Sequence, residues 1–128
     1  MHDQQHTRFA NIVAIRGAVR ADAILRELPG GGAVAQFDVA TATMSNGREL
    51  TVSVPVAWHD PTDAQLGIVT SGADVVVIGT VRRRFFRVGA STQSRTEVVA
   101  DAVVPSRQRK RVATALRAAA DRVLDLVA

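Results

Sequence analysis

The chain has 128 residues, a formal net charge of +4 and no cysteine. Its length suits one ordinary domain with a single core, and the lack of cysteine excludes a disulfide framework or a thiolate metal site. Arg, Asp, Gly or Pro interrupts every apolar run before it reaches the length of a membrane span, and the N-terminus has no signal-peptide core. We therefore expect a soluble cytoplasmic protein.

The basic residues are concentrated in the last third of the chain. Residues 1–81 carry five basic and eight acidic side chains, whereas residues 82–128 carry eleven and four. This asymmetry favours a nucleic-acid partner or an anionic membrane surface. Fifteen of the sixteen basic residues are arginine, which suits phosphate binding and base stacking, although a GC-rich genome would produce the same bias.

A polar segment precedes the first strand. Residues 1–7 show no periodicity and predict a flexible tail. We do not expect its two histidines to bind a metal, because a mobile tail does not hold ligand geometry. Residues 8–20 (RFANIVAIRGAVR) predict a strand with Gly17 at a bend. Residues 23–28 fit either a second strand or a helical turn.

A hairpin is predicted next. Residues 29–32 (PGGG) indicate a turn rather than a phosphate-binding loop, because a strand and not a helix follows them. Residues 33–43 (AVAQFDVATAT) predict a strand, Asn46-Gly47 predicts a tight turn, and residues 48–58 predict the return strand.

Two residues near the end of the return strand restrict its placement. Pro55 cannot donate a ladder hydrogen bond, so it belongs at an edge or a bulge. Trp58, the only tryptophan, fits either the core or an exposed platform on which a base stacks.

A short helix follows, from Asp60 as N-cap and Pro61 as first residue to about Val69. The side chains of His59, Asp60 and Asp63 lie close in sequence and could suggest acid-base or metal chemistry. Helix capping by Asp60 is the favoured interpretation.

Residues 74–88 (DVVVIGTVRRRFFRV) change from a buried apolar strand into a basic, aromatic one. Alternate side chains of a strand point to opposite faces, so Arg82, Arg84 and Phe86 share one face. Guanidinium groups beside an aromatic ring suit a polyanion with flat, stackable bases. We therefore expect this face to contact nucleic acid.

The opposite face of the same strand carries Val81 and Phe85, which we expect at the protein interior or the rim of a barrel. Residues 94–104 predict a final strand. Five strands, with a short helix before the fourth, then occupy residues 8–104. Short strands joined by Gly-rich turns predict an all-β Greek-key barrel, and the count of five points to the OB-fold, a class that binds oligonucleotides on one face.

The remaining segment predicts a basic amphipathic helix with Ser106 as N-cap. Its apolar residues recur at heptad-like steps, namely Val112, Leu116, Ala119, Val123 and Leu126. This seam packs either on the barrel or against the same helix of another subunit. The helix opens with four basic side chains that oppose its dipole and fit either a phosphate-binding collar or a solvated face: Arg107, Arg109, Lys110 and Arg111. We thus divide the chain into a tail (1–7), an OB-fold domain (8–105) and a C-terminal helix (106–128).

Five segments, in matching order and spacing, resemble the bacterial single-stranded DNA-binding protein family. They are NIVAIRG (11–17), GGAVAQFDVAT (31–41), VAW (56–58), GADVVVIGTVRRRFF (72–86) and TEVVAD (96–101). The resemblance implies an OB-fold protomer, usually assembled as a homotetramer, that wraps single strands without sequence preference in replication, recombination and repair. It also implies association with the nucleoid, and neither catalysis nor a cofactor.

The chain departs from the family pattern at several positions. Two of the family's stacking positions align with Trp58 and Phe86, whereas two others fall near Ser45 and Val52, where there is no ring. Val54 replaces a basic residue that the family often has, and the hairpin loop at residues 45–47 is shorter. The family's acidic C-terminal tip, which recruits repair and replication enzymes, has no counterpart, so we do not expect recruitment of that kind.

The predicted interface combines stacking and phosphate-binding side chains. It comprises Trp58, Phe86, Arg48, Arg82, Arg84, Arg87, Arg107, Arg109, Lys110 and Arg111. Its ligand is single-stranded DNA, with RNA left open, and no metal is expected.

Two other functions compete with nucleic-acid binding. One is an OB-fold accessory module that binds protein partners through Val52, Val54 and Val56. The other is a small hydrolase that uses His59 and Asp63, which is disfavoured because no nucleophile or metal-ligand spacing accompanies them.

Overall fold

The structure is a computed structural model that describes residues 9–127. The predicted tail at residues 1–7 lies outside this range. Six strands and two helices follow in order: β1 (Val13–Val19), β2 (Ile24–Glu27), β3 (Ala33–Ser45), β4 (Arg48–His59), α1 (Asp63–Leu66), β5 (Asp74–Val88), β6 (Ser91–Pro105) and α2 (Arg109–Leu124). Neither α1 nor α2 is long and apolar enough to cross a membrane.

Five of the strands form a closed barrel. They neighbour one another in the order β1, β5, β6, β4 and β3, and pairing between β1 and β3 completes the circle. The β4–β6 pair is parallel and the other pairs are antiparallel. The predicted five-stranded barrel, with a short helix before its fourth strand, is confirmed. Residues 23–28, which the sequence left undecided, contain β2, a short strand on the free edge of β3.

The β3–β4 hairpin has the turn that its sequence predicts. Asn46 and Gly47 form a two-residue connection in which both residues have positive φ angles, 51° and 75°. Such a turn twists in the same sense as the flanking strands, which is why Asn-Gly is favoured there. The turn fixes the register in which Ala35 lies opposite Trp58 and Phe37 opposite Val56.

The barrel interior is filled mainly by β-branched side chains. Val19, Val39, Val75 and Val77 are at most 1 % exposed, and they pack with Phe37 and other inward-facing side chains in one cluster. Alternation along each strand places these residues on the inner face. Hydrophobic burial on this face stabilises the barrel and leaves its outer face free for other contacts.

Barrel closure depends on a close approach of β1 to β3. The ladder between these strands contains two residue pairs, Ala18 with Ala40 and Val19 with Val39. A Cβ atom on Gly17 would lie 2.2 Å from the carbonyl oxygen of Ala40, well inside contact distance. At Gly17, where the sequence predicted a bend, β1 is still paired with β5 while its other edge meets β3, and only glycine fits.

The cap of α1 differs from the prediction. The N-cap is Thr62, whose side chain accepts from the N–H of Gln65 while Gln65 Oε1 accepts from the N–H of Thr62, and the helix ends at Leu66. The prediction of Asp60 as N-cap, with a helix to about Val69, was wrong. Asp60 instead accepts a hydrogen bond from the N–H of Ala33, at 2.8 Å, and so fixes the start of β3.

Helix α2 packs on the outside of the barrel. Val112, Ala115 and Ala119 contact the outward-facing Val76 and Ile78 of β5. Only part of the predicted apolar seam of α2 is covered by the barrel. Ala119 is buried, whereas Leu116 is 41 % exposed.

The prediction of Ser106 as N-cap of α2 was wrong. Gln108 occupies that position and makes no side-chain capping bond. The Ser106 hydroxyl donates to Asp74 Oδ1 instead, at 2.5 Å.

Asp74 links β5 to β1 and to the segment that leads into α2. Its carboxylate accepts from Arg16 Nε at 3.0 Å and Nη2 at 2.9 Å, and its carbonyl oxygen accepts from the N–H of Ser106 at 3.0 Å. The hydrogen bond from Arg16, and after it the one from Ser106, lower the pKa of Asp74 from 3.8 to about 2.

Replacing Gly17 with alanine tests barrel closure. The added methyl group would press on the backbone of β3, so we expect Gly17→Ala to lower the free energy of unfolding by about 1–3 kcal/mol. Urea unfolding measures this loss. In the control Gly67→Ala, the new Cβ would come no closer than 3.3 Å to a neighbour, and a smaller change is expected. Equal stability of Gly17→Ala and the wild type would contradict the claim that the close approach of β1 to β3 requires glycine at this position.

The pH dependence of stability tests the Asp74 contacts. Because the folded-state pKa lies below the unfolded value of 3.8, these contacts stabilise the fold above about pH 4 and are lost as pH falls towards 2. Asp74→Asn should therefore flatten the decline of unfolding free energy across this window. Asp125→Asn removes a carboxylate that forms no ion pair with the described residues and serves as the control. If the unfolding free energy of Asp74→Asn declined with pH as steeply as that of the wild type, the Asp74 contacts would not be the source of the pH dependence.

Candidate nucleic-acid interface

The second half of β5 and the first half of β6 project from the barrel as a two-stranded ribbon. We call residues 82–97 the arm. It begins where Arg82 pairs with Glu97 and ends at a tight turn between Val88 and Ser91. Gly89 adopts a φ of 59° in that turn, and β6 begins earlier than residue 94, where the sequence predicted it.

A surface groove runs between the arm and the short edge strand β2. Its floor is the outer face of β3 and β4, and we call it the groove. Residues that line it include Ile24, Arg26 and Glu27 of β2, Gln36 and Asp38 of β3, Pro55 of β4, and Arg84, Arg95 and Glu97 of the arm. It therefore combines apolar, basic and acidic side chains.

Two ion pairs neutralise part of the groove's positive charge. Arg82 donates through Nη2 to Oε2 of Glu97, whose side chain is only 5 % exposed. Arg95 Nη2 lies 3.3 Å from Asp38 Oδ1. A buried carboxylate needs a cationic partner, so the first role of Arg82 is to compensate Glu97.

Like Arg20 and Arg26 beside β2, Arg84 is a groove arginine whose charge is not compensated in this way. It forms no ion pair with any carboxylate in residues 9–127. Its guanidinium carbon lies 5.8 Å from the centre of the Phe86 ring, within the usual range of a cation–π contact. Phe86 is partly exposed. The pair offers a cation and an aromatic ring side by side at the edge of the groove.

The strand register assigns the remaining arm residues to faces. Arg84 lies opposite Arg95 and Phe86 opposite Gln93, so these share the groove face. Phe85 lies opposite Ser94 and Arg87 opposite Thr92, on the other face. Arg87 was predicted as part of one interface with Arg84, but the structure places it on the opposite side of the ribbon.

Val81 and Phe85 lie on the face that continues the barrel interior, as alternation predicts. They follow the last core residues of β5, however, and are 44 % and 67 % exposed. Of the two places that the sequence left open, the protein interior and the rim of the barrel, this exposure excludes the interior. Val81, opposite the buried Val98, lies at the rim, and Phe85 lies beyond it on the arm.

Trp58 is a core residue. It is 6 % exposed and packs in the main cluster with Ala35 and Phe37. Of the two interpretations left open by the sequence, core packing is the one observed. In this structure Trp58 offers no ring face to a base, since its position opposite Ala35 turns the side chain inward.

The other predicted basic residues lie outside the groove. Arg48 is exposed beside the β3–β4 turn, opposite Ser45. Four more are exposed at or just before the start of α2, namely Arg107, Arg109, Lys110 and Arg111. Since α2 covers the outward face of β5 at Val76 and Ile78, the structure does not bring this cluster into the groove.

Several groove residues were not predicted from the sequence. Arg95, Asp38 and Glu97 were missed. The polar alternation of Gln36 and Asp38 within an otherwise apolar strand was a usable signal for an outward, ligand-facing side of β3. The positions of Arg95 and Glu97 required the β5–β6 register.

Metal chemistry receives no structural support from the part of the chain described. No group of three or more His, Asp or Glu side chains in residues 9–127 could hold a metal ion. The Asp60 carboxylate accepts a hydrogen bond from the N–H of Ala33, at 2.8 Å. His2 and His6 lie outside the described residues.

Comparison with solved structures identifies the fold of this barrel. The barrel is similar to that in a Plasmodium falciparum SSB complex with ssDNA, with a TM-score of 0.65 and 19 % sequence identity. The match covers 75 % of this chain and 94 % of the other. The chain has an OB-fold. No protein-family model matches the sequence, and a search of curated proteins found no significant match.

Proposed function

We propose that this OB-fold protein binds single-stranded DNA without sequence preference, with the Arg84–Phe86 pair as the centre of its interface. The observation that carries the proposal is an uncompensated guanidinium beside a partly exposed ring at the edge of the groove. Similarity of the barrel to one solved with ssDNA supports it. Phosphate attracts the guanidinium and any base can stack on the ring, so such a site discriminates little between sequences.

The energetics favour several protomers acting together. Stacking contributes about 1–3 kcal/mol per base, whereas micromolar affinity requires about 8 kcal/mol. With Trp58 in the core, one ring per groove cannot supply this energy. We therefore propose a homo-oligomer, a tetramer as the family resemblance implies, because linked sites raise affinity through effective concentration.

The more distant basic residues fit a supporting role. Arg48 and the cluster of Arg107, Arg109, Lys110 and Arg111 are exposed and able to contact phosphates of a strand that extends beyond the groove. Each phosphate neutralised on a single strand steepens the salt dependence by about 0.7 in log–log slope. Arg82 contributes less than predicted, since Glu97 compensates its charge.

The biological role that we propose rests on the resemblance to the single-stranded DNA-binding protein family. We propose that the protein protects single strands in replication, recombination or repair, in the cytoplasm at the nucleoid, with neither catalysis nor a cofactor. RNA with exposed bases offers the same phosphates and stackable rings, and we propose it as a second ligand. We do not propose recruitment of enzymes through an acidic tail.

A protein-binding module is the second candidate. Leu50 and Val52 are 49 % and 41 % exposed on the β3–β4 hairpin, where family members carry a stacking residue. The predicted partner surface also included Val56, which is 2 % exposed and belongs to the core. The apolar surface is thus smaller than the sequence suggested, which makes strand binding the better-supported function.

Anisotropy titration of labelled oligo-dT tests the proposal. Phe86→Ala should weaken binding about 5- to 150-fold, equivalent to the loss of one stacked base. Arg84→Gln should weaken binding and reduce the salt slope by about 0.7. Arg117→Gln on α2 removes the same charge from an exposed side chain outside the groove, and should bind as the wild type does.

Arg82→Gln is a poor control in this experiment, because it would leave Glu97 buried without its cation. Wild-type affinity in both Phe86→Ala and Arg84→Gln would refute the proposed interface. Failure of the wild type to bind oligo-dT at low salt would refute the function.

A further inference from the structure

The face of the arm that looks away from the groove has its own regular composition. We call it the inner face of the arm, because it continues the face that lines the barrel. On β5 it carries Arg83, Phe85 and Arg87, and on β6 their partners Thr96, Ser94 and Thr92. Two arginines therefore flank a ring, opposite a row of hydroxyl groups.

The electrostatics of the two faces differ. The groove face contains Glu97 and Asp38, which neutralise Arg82 and Arg95. The inner face has no acidic side chain among its strand positions, and neither Arg83 nor Arg87 forms an ion pair with any residue from 9 to 127. Within residues 9–127, Arg83 donates only to the hydroxyl of Ser94, at 2.9 Å. The uncompensated charge of the arm therefore lies mainly on this face.

Phe85 is the more available of the arm's two rings. It is 67 % exposed, and it lies between two arginines that alternate with it along the strand. A ligand that covers this ring would remove its apolar surface from water, which is favourable. Hydroxyl groups on the paired strand supply donors and acceptors that suit phosphate and sugar.

We propose that the inner face of the arm is a second contact surface for single-stranded nucleic acid, with Phe85 as a stacking residue and Arg83 and Arg87 as phosphate ligands. This inference rests on the proposed function. A strand that leaves the groove at Phe86 would pass the turn at Val88 to Ser91 and return along the opposite side of the same ribbon. The arm would then be held between two segments of one strand.

Charge favours a polyanion over a second copy of the chain on this surface. A two-fold symmetric contact places the same patch of both copies together. Arg83 and Arg87 of one copy would then face those of the other, and like charges juxtaposed across an interface are unfavourable. A ligand that carries negative charge and flat bases satisfies both the arginines and the ring.

Titration with oligo-dT of two lengths separates the two surfaces. An oligomer of about 8 nucleotides fits one surface, whereas one of about 30 exceeds the largest site usual for an OB-fold, about 16. In Phe85→Ala and in the double variant Arg83→Gln/Arg87→Gln, we expect binding of the short oligomer within about twofold of the wild type. Binding of the long oligomer should weaken at least about fivefold, and fewer nucleotides should be covered per protomer at saturation.

Control variants distinguish an effect on the inner face of the arm from an effect on the groove. Leu124→Ala removes an equally exposed apolar side chain on α2, 64 % exposed, and should alter neither length series. Phe86→Ala should weaken both lengths, since it acts in the groove. Wild-type binding of the long oligomer by both inner-face variants would overturn the second surface while leaving the groove proposal intact.

Two further results would also overturn the inference. A change in solution mass in Phe85→Ala, without DNA, would assign the inner face to contact between subunits. Loss of short-oligomer binding in Phe85→Ala would show that Phe85 belongs to a single common site. If the wild type binds neither oligomer, the proposed function fails and the second surface fails with it.

Discussion

The short contact between β1 and β3 is the constraint on which the rest of the structure depends. Two residue pairs close the barrel, and the absence of a side chain at Gly17 lets the backbones approach. Closure gives the valines of β5 an interior to fill. It also leaves the outer face of β3 and β4 as the floor of a groove, with β2 on one side and the arm on the other.

The arm shows how one strand serves both stability and recognition. From Val75 to Ile78, β5 is buried, and from Arg82 onward it carries basic and aromatic side chains with the same alternation. Where β5 leaves the barrel, both of its faces become exposed. Glu97 then distinguishes the arginines of the groove face, because it engages Arg82 and leaves Arg84 beside Phe86.

Local sequence patterns were sufficient for the barrel. Strand alternation, the Asn46-Gly47 turn and the glycine at position 17 led to the observed architecture, and the count of five short strands joined by Gly-rich turns led to the OB-fold. The alternation of Arg82, Arg84 and Phe86 also gave the correct shared face. These features are encoded within a few residues of one another.

Features that depend on distant partners could not be predicted in the same way. Asp60 and Ser106 resemble helix caps locally, but Asp60 accepts from the N–H of Ala33 and the Ser106 hydroxyl donates to Asp74. Whether Trp58 points inward depends on its pairing with Ala35. The compensation of Arg82 depends on Glu97, 15 residues further along the chain.

Ultraviolet cross-linking of oligo-dT to the full chain, followed by mass spectrometry of the modified peptides, tests the central claim most directly. We expect thymine adducts on the arm, at Phe86 first, because the proposed interface stacks bases against its rings. Adducts confined to α2 or to the β3–β4 turn, under conditions in which the DNA is bound, would contradict the assignment of the groove and the arm as the single-strand interface.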